Sequence, residues 1–229
     1  MSSDVASPQW LRYDTADAVA STSIACILDC ADRAIEERGV FSIVLAGGTT
    51  PRHAYEGLRD ADTDWTRWQI YFGDERCLPV DDAERNSVMA NEAWLKHVAI
   101  PSENIHVMNA EKGAEPAAKE YADTIKDAVP FDIVLLGMGE DGHTASLFPG
   151  HEHDESEMVH AVHNAPKPPS DRVSISALTL GECRELLIMV TGAGKQDAVR
   201  QWLAGEALPV ASVNPALAKV LIDEDAWPE

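Results

Sequence analysis

The run Phe131-Asp-Ile-Val-Leu-Leu136 passes directly into Gly137-Met-Gly-Glu-Asp-Gly-His143, so an apolar segment ends in a loop of glycines and charges. Two other apolar runs, at 41–46 and 69–72, also lead into loops with unusual composition. Continuous apolar strands of this kind are typical of a parallel sheet that is covered on both faces. The sequence therefore predicts an α/β fold, with a mostly parallel, Rossmann-like sheet between two helical layers, in a single domain over 1–229.

Helical patterns alternate with these strands. Apolar side chains keep a helical rhythm from Thr15 to Arg38, and Gly39 is typical of a helix end. Pro51 suits the first position of a helix that continues from Arg52 to Leu58. We also expect helices at about 83–98, 115–126 and 194–203, and strands at 158–162, 172–176, 185–190 and 219–223.

The charge of the chain restricts its partners. With 39 acidic and 18 basic side chains, the formal net charge is −21. This argues against nucleic acid and against an anionic membrane surface as partners, because both require clusters of Lys and Arg. Residues 1–10 lack the regions of a secretory signal, and no run of about 18 apolar residues occurs. We therefore expect a cytoplasmic protein whose four cysteines are reduced thiols.

The carboxyl ends of parallel strands meet at one edge of a sheet, where ligands bind in this fold class. The first loop at that edge, Gly47-Gly48-Thr49-Thr50-Pro51, combines close backbone approach, hydroxyl groups and the start of a helix. Helix starts attract anions, so the loop predicts a phosphate cradle. The alternative is a tight turn in which threonine caps the helix.

The second loop, Gly73-Asp74-Glu75-Arg76, places charges directly after a buried strand. Burying such charges costs free energy, so charges at this position are expected to be paired with opposite charges or to take part in function. Arg76 is a candidate for a phosphate clamp or for neutralising the carboxylates, and the alternative is a purely structural ion pair.

The third loop contains a literal G-x-G-x-x-G, but a dinucleotide site is not expected there. Phe148-Pro149-Gly150 ends any following helix early, and Glu140 and Asp141 would repel a pyrophosphate. The loop instead presents His143 beside a carboxylate, an arrangement typical of a general base. The alternative is a capping Asp with a structural His.

Some features further along the chain carry weaker signals. Arg172 and Lys195 are candidate cations, although each alone is more typical of a solvated surface. The stretch 163–170 is interpreted as an ordered loop near a site. Four histidines at 151, 153, 160 and 163 stand among acidic residues of an expected exposed loop, and we expect no metal site there. Cys77 is expected to be inert.

Taken together, the motifs resemble those of the 6-phosphogluconolactonase family and of the related glucosamine-6-phosphate isomerase/deaminase family. The lactonase pattern has Gly-Gly-Ser-Thr-Pro, Asp-Glu-Arg and Gly-x-Gly-x-Asp-Gly-His-Thr-Ala-Ser-Leu-Phe-Pro-Gly. The sequence has Gly47-Gly-Thr-Thr-Pro51, Asp74-Glu-Arg76 and an unbroken match from Gly137 to Gly150. The resemblance covers about 10–225, and Thr49 keeps the hydroxyl of the usual serine.

The resemblance implies a lactone hydrolase that acts on a small sugar phosphate, 6-phosphogluconolactone, without a cofactor or a metal, as a monomer or a small homo-oligomer. His143 would be the base that activates water, and Asp141 would orient it. The substrate would be bound by Gly47, Gly48, Thr49, Thr50, Asp74, Arg76, Asn86, Arg172 and Lys195. Which of the three cations holds the phosphate stays open.

Two alternatives are considered. The first is a glucosamine-6-phosphate isomerase or deaminase, in which Asp74 would move a proton between adjacent sugar carbons. Relatives of that type tend to have Asp-Glu-Tyr, whereas this chain has Asp74-Glu75-Arg76. The second is a sugar-phosphate-binding module without catalysis, against which the intact His143 and Asp141 count.

Overall fold

The computed structural model describes residues 7–154 and 156–228. Its strands are β1 (Gln9–Tyr13), β2 (Phe41–Leu45), β3 (Trp68–Phe72), β4 (Asp74–Arg76), β5 (Phe131–Gly137), β6 (Val159–Val162), β7 (Arg172–Ile175), β8 (Cys183–Val190) and β9 (Ala218–Asp223). Its α-helices are α1 (Ala16–Arg38), α2 (Thr49–Leu58), α3 (Asn86–Ala93), α4 (Ala114–Ile125), α5 (Ala177–Gly181), α6 (Gln196–Leu203) and α7 (Pro209–Ser212).

The central sheet has the strand order β1-β9-β8-β5-β2-β3, and every neighbouring pair in it is parallel. The predicted α/β fold is confirmed. In strand β5, Ile133 and Leu135 join one buried cluster, while Val134 and Leu136 join the other. Because successive side chains of a strand point to opposite faces, β5 is packed on both sides. This explains why the residues of β5 are apolar at almost every position, with Asp132 as the charged exception.

Helices cover both faces of this sheet. Helices α1 and α2 pack on one face through side chains such as Ile27 and Tyr55. Helices α4 and α6 pack on the other face through Tyr121 and Trp202. No helix within the described ranges is long and apolar enough to cross a membrane.

A second, smaller sheet departs from the prediction. Asp74–Arg76, expected to be a loop, forms β4 and pairs antiparallel with β7, which pairs antiparallel with β6. Strand β7 is buried along its whole length, so its side chains are held between the second sheet and the rest of the core. The register places Arg76 opposite Arg172.

Two helices and one strand also differ from the prediction. Helix α3 begins at Asn86 and not at about 83, and only a 3₁₀ turn, Leu95–His97, continues it. Pro51 is the third residue of α2 because the helix already begins at Thr49. Strand β1 was not predicted; it lies at the edge of the sheet against β9, and its side chains alternate only weakly in burial.

Candidate active site

A cavity of about 410 Å³ opens at the carboxyl edge of the central sheet. The loops after β2, β3 and β5 all contribute to its wall, so the predicted convergence of these three loops is confirmed. The loop after β8, which was not part of that prediction, also lines the cavity. Every residue of the predicted site except Asp141 lines the cavity, and the lining includes Gly47, Gly48, Thr49, Thr50, Asp74, Arg76, Asn86, His143, Arg172 and Lys195. Asp141 contacts the cavity indirectly, through His143.

His143 and Asp141 form a hydrogen-bonded pair. The Nδ1–H group of His143 donates to Oδ1 of Asp141, because an ionised carboxylate can only accept. Gly139 makes this pairing possible: a Cβ atom at that position would lie 2.0 Å from His143 Nδ1 and 2.7 Å from Asp141 Oδ1. His143 Nε2 makes no hydrogen bond within residues 7–154 and 156–228, so its lone pair is available to a ligand.

The environment keeps this pair in the protonation states that a base requires. Burial lowers the pKa of His143, and the hydrogen bond and charge of Asp141 offset this only in part. Burial opposes the charge of Asp141, but hydrogen bonds from His143 outweigh it and hold the pKa of Asp141 below its ordinary value. Near neutral pH the pair is therefore a neutral imidazole beside a carboxylate.

The loop after β2 leads into an uncapped helix start. Gly48 precedes α2 with φ of +110°, a conformation that favours glycine. Among the described residues, no side chain accepts a hydrogen bond from the first N–H groups of the helix. Gly47 packs so closely on Asn86 that a Cβ atom would lie 2.1 Å from its Oδ1. Thr50 Oγ1 lies 2.6 Å from Thr191 Oγ1, which links this loop to the loop after β8. The free N–H groups and hydroxyls suit an anion.

Asp74 belongs to a buried network, which we call the buried frame: Asp74, Glu75, Asn86 and Ser146. Asn86 Nδ2 donates to Asp74 Oδ1 at 2.9 Å, and Ser146 Oγ donates to Asp74 Oδ2 at 2.6 Å. Asp74 was expected to contact sugar hydroxyls or to pair with Arg76. The described residues contain no ion pair between the two, since the partners of Asp74 are neutral.

Glu75 was given no role by the sequence, and the structure shows that it is structural. Its carboxylate is fully buried and accepts hydrogen bonds from the N–H groups of Asn86 at 2.7 Å and Ser87 at 2.9 Å. Arg85, which is also buried, lies 3.4 Å from the same carboxylate. Glu75 thus fixes where α3 begins and where Asn86 stands. No local pattern would have distinguished this inward carboxylate from its neighbour Asp74.

Four cationic side chains line the cavity: Arg76, Lys167, Arg172 and Lys195. Within the part of the chain that the structure describes, no carboxylate lies within 4.0 Å of Arg76, Arg172 or Lys195. The Nε atom of Arg76 is buried without a hydrogen-bond partner there. Burial lowers the pKa of Lys195. In a chain with a net charge of −21, three cations without a close carboxylate on one cavity suit an anionic ligand.

Lys167 is the residue that the site prediction missed. It lies in the segment 163–170, which the sequence predicts to be a loop near a site, but no motif singled it out. Its Nζ atom lies 4.0 Å from Oδ1 of Asp141, the oxygen that also binds His143.

The other histidines of the chain do not line this cavity. Among the described residues, no group of three or more His, Cys, Asp or Glu side chains is arranged to hold a metal ion. The expectation that these histidines lie in an exposed loop is wrong for His160, which is buried in β6 and stacks on His153 with ring centroids 4.4 Å apart. Burial raises the pKa of Cys77 to about 11, which suits an inert thiol.

Comparison with known proteins agrees with this architecture. The sequence profile of the family described as glucosamine-6-phosphate isomerases/6-phosphogluconolactonase matches residues 14–222. The chain therefore belongs to this family.

Individual relatives carry the lactonase name. The chain is 33% identical to 6-phosphogluconolactonase 3, chloroplastic, of Arabidopsis thaliana over 81% of its own length, and it spans 64% of that protein. It is 37% identical to 6-phosphogluconolactonase of Mycobacterium leprae, over 81% of this chain and 80% of the relative. The crystal structure of 6-phosphogluconolactonase from Thermotoga maritima superposes with a TM-score of 0.86 at 28% identity, over 94% of this chain and 99% of that one.

Proposed function

We propose that this chain hydrolyses 6-phospho-D-glucono-1,5-lactone to 6-phosphogluconate, a step of the oxidative pentose phosphate pathway. The observation that carries the proposal is the pairing of His143 with Asp141 on the wall of a cavity that four cations line. The lactonase names of the relatives support the choice of substrate. Lactone hydrolysis consumes only water, so the proposed chemistry calls for no cofactor.

His143 supplies the base in this proposal. Its Nε2 takes a proton from a water molecule while the water oxygen bonds to the lactone carbon, and the carbonyl electron pair moves onto the carbonyl oxygen. When that pair returns, the bond between this carbon and the ring oxygen breaks, and the ring oxygen takes the proton back from His143. Asp141 stabilises the imidazolium that exists between the two steps. General acid–base help of this kind contributes about 10²- to 10⁴-fold.

The rest of the cavity binds the substrate. The start of α2, with Gly47, Gly48, Thr49 and Thr50, offers N–H groups and hydroxyls to the phosphate, and Arg76 and Lys195 add positive charge. Asp74 and Asn86 line the cavity on the side of the buried frame, where they can meet sugar hydroxyls. Binding the phosphate away from the reacting carbon holds the ring in register for attack.

The setting of the enzyme is part of the proposal. We place it in the cytoplasm as a monomer or a small homo-oligomer, with 1–229 as a single lactonase domain. The free state of Cys26, Cys30, Cys77 and Cys183 supports a reducing compartment.

The experiment is a direct assay of lactone hydrolysis. The lactone is generated in place with glucose-6-phosphate dehydrogenase, and its loss is followed against the spontaneous rate. We expect a large acceleration, and no release of ammonia from glucosamine 6-phosphate. If the lactone is lost no faster with the enzyme than without it, the lactonase proposal is rejected. Release of ammonia from glucosamine 6-phosphate would point to the deaminase instead.

A further inference from the structure

Lys167 lines the cavity beside the pair of His143 and Asp141. Its ammonium group is the only one within 4.0 Å of Asp141 among residues 7–154 and 156–228, and it meets the same carboxylate oxygen that binds His143. The side chain is 45% exposed, and its Nζ atom makes no hydrogen bond in that part of the chain, so its donors are free for a ligand. Its charge also lowers the pKa of His143, which favours the neutral base.

The backbone of Lys167 is held by one buried side chain. Arg172 is 4% exposed, and its guanidinium donates to the carbonyl oxygens of Lys167 at 3.1 Å, Pro168 at 2.8 Å and Pro169 at 3.1 Å. Its remaining nitrogen, Nη1, lies 3.5 Å from Ser146 Oγ. Most of the donors of Arg172 are therefore committed to three consecutive backbone carbonyls. A planar fork of this kind fixes a loop with little loss of side-chain freedom.

We propose that Lys167 stabilises the negative charge that develops on the lactone carbonyl oxygen, and that Arg172 is a positioning residue that holds Lys167 in place. The proposal rests on the proposed lactonase function. The charge on that oxygen exists only while water is adding to the carbonyl, so a cation placed there acts on the transition state more than on the bound substrate. Lys167 donates a hydrogen bond and keeps its own proton throughout.

The other cations are less suited to this position. Arg76 donates to the carbonyl oxygen of Glu84 and lies opposite Arg172 in the second sheet. Lys195 follows Gly194, which packs near Glu140, where a Cβ atom would lie 3.1 Å from Glu140 Oε1. Neither cation lies within 4.0 Å of the carboxylate that orients the base.

The first test compares wild type with Lys167→Met and Lys167→Arg in steady-state lactone hydrolysis. Loss of one donor to a developing oxyanion typically lowers kcat by about 10²- to 10³-fold. We expect a fall in this range for Lys167→Met with little change in KM, and a partial recovery for Lys167→Arg. A rise in KM at unchanged kcat would overturn the proposal and move Lys167 to the phosphate.

The second test asks whether Arg172 acts through Lys167. We expect Arg172→Met to lower kcat as Lys167→Met does, and the double variant to be no slower than the slower single variant, because both changes remove one interaction. Effects that multiply would show that Arg172 contacts the substrate independently. Because Arg172 is buried, Arg172→Lys is measured in parallel; it keeps the charge but loses the fork, and activity at the wild-type level would reject the positioning role.

These outcomes separate the two proposals. If the wild-type enzyme does not hydrolyse the lactone, the proposed function fails. If wild type is active and Lys167→Met equals it in both kcat and KM, only the inference about Lys167 fails.

Discussion

The rim of the cavity has two regions that contrast in how their polar atoms are used. In the buried frame, the carboxylates of Asp74 and Glu75 accept hydrogen bonds from groups of the same protein, and Glu75 is closed off from solvent. In the second region, which we call the reactive edge and define as Asp141, His143 and Lys167, donors and a lone pair are left for a ligand.

The contrast distinguishes residues that support the structure from residues suited to catalysis, although the two kinds stand in similar sequence motifs. Both regions present charged residues directly after a buried strand. A buried polar group with satisfied hydrogen bonds fixes geometry, whereas a half-buried titratable group with a shifted pKa and unused donors is suited to reaction. Changes in the frame should therefore act mainly on stability, and changes in the edge mainly on turnover.

The largest effect is expected from Gly139→Ala, at the reactive edge. The added Cβ atom would lie 2.0 Å from His143 Nδ1, so the pair with Asp141 must separate. We expect kcat to fall by at least about 100-fold, the lower range of general-base contributions. The matched control is Gly39→Ala, where a Cβ atom meets nothing within 4 Å although φ is +76°. The control should lose some stability but keep the wild-type kcat. Equal kcat values for the two variants would show that the pair of His143 and Asp141 is not required for turnover.

The next effect is expected from Glu75→Gln, in the buried frame. Within residues 7–154 and 156–228, the change leaves the buried Arg85 with Glu111, at 3.0 Å, as its only charged partner. Removing one partner of a buried ion pair typically costs about 3 kcal/mol or more in the free energy of unfolding. Denaturant unfolding measures this cost. The control is Glu92→Gln, which breaks only the exposed pair with Lys96. If both variants unfold alike, Glu75 is not part of a supporting frame.

The smallest effect is a shift in pH dependence. As the proposed base, His143 can act only when it is neutral, and burial lowers its pKa below the ordinary value. We therefore expect kcat/KM to fall only as the pH drops below about 6.5. Asp141 raises this pKa, so Asp141→Asn should move the acid limb to lower pH while reducing the plateau. Profiles of both enzymes measure the shift; a limb that moves to higher pH would contradict the electrostatic assignment.

Much of the fold was predictable because its signals are local. The run of 131–136, which is apolar except for Asp132, predicts a strand that is buried on both faces, and β5 is such a strand. The loops were predicted to meet because parallel strands share one carboxyl edge. The second sheet was not predictable in this way, since β4 has three residues and its pairing with β7 joins segments about a hundred positions apart.

Only those residues of the site that lie in recognisable sequence motifs could be predicted. Some site residues lie in local motifs whose residue types indicate a function, namely His143, Asp141 and the loop of Gly47 and Gly48. Lys167 does not, because its place in the cavity depends on carbonyl contacts with Arg172 that only the folded chain creates.

The most direct test of the division between frame and edge is to measure kcat and thermal stability together for His143→Ala, with the exposed His97→Ala as the control. We expect His143→Ala to lower kcat by about 10²- to 10⁴-fold while its melting temperature stays at the wild-type value. His97→Ala should match wild type in both measurements. If turnover survives the loss of His143, then His143 is not the base, and the base would have to be sought elsewhere in the cavity.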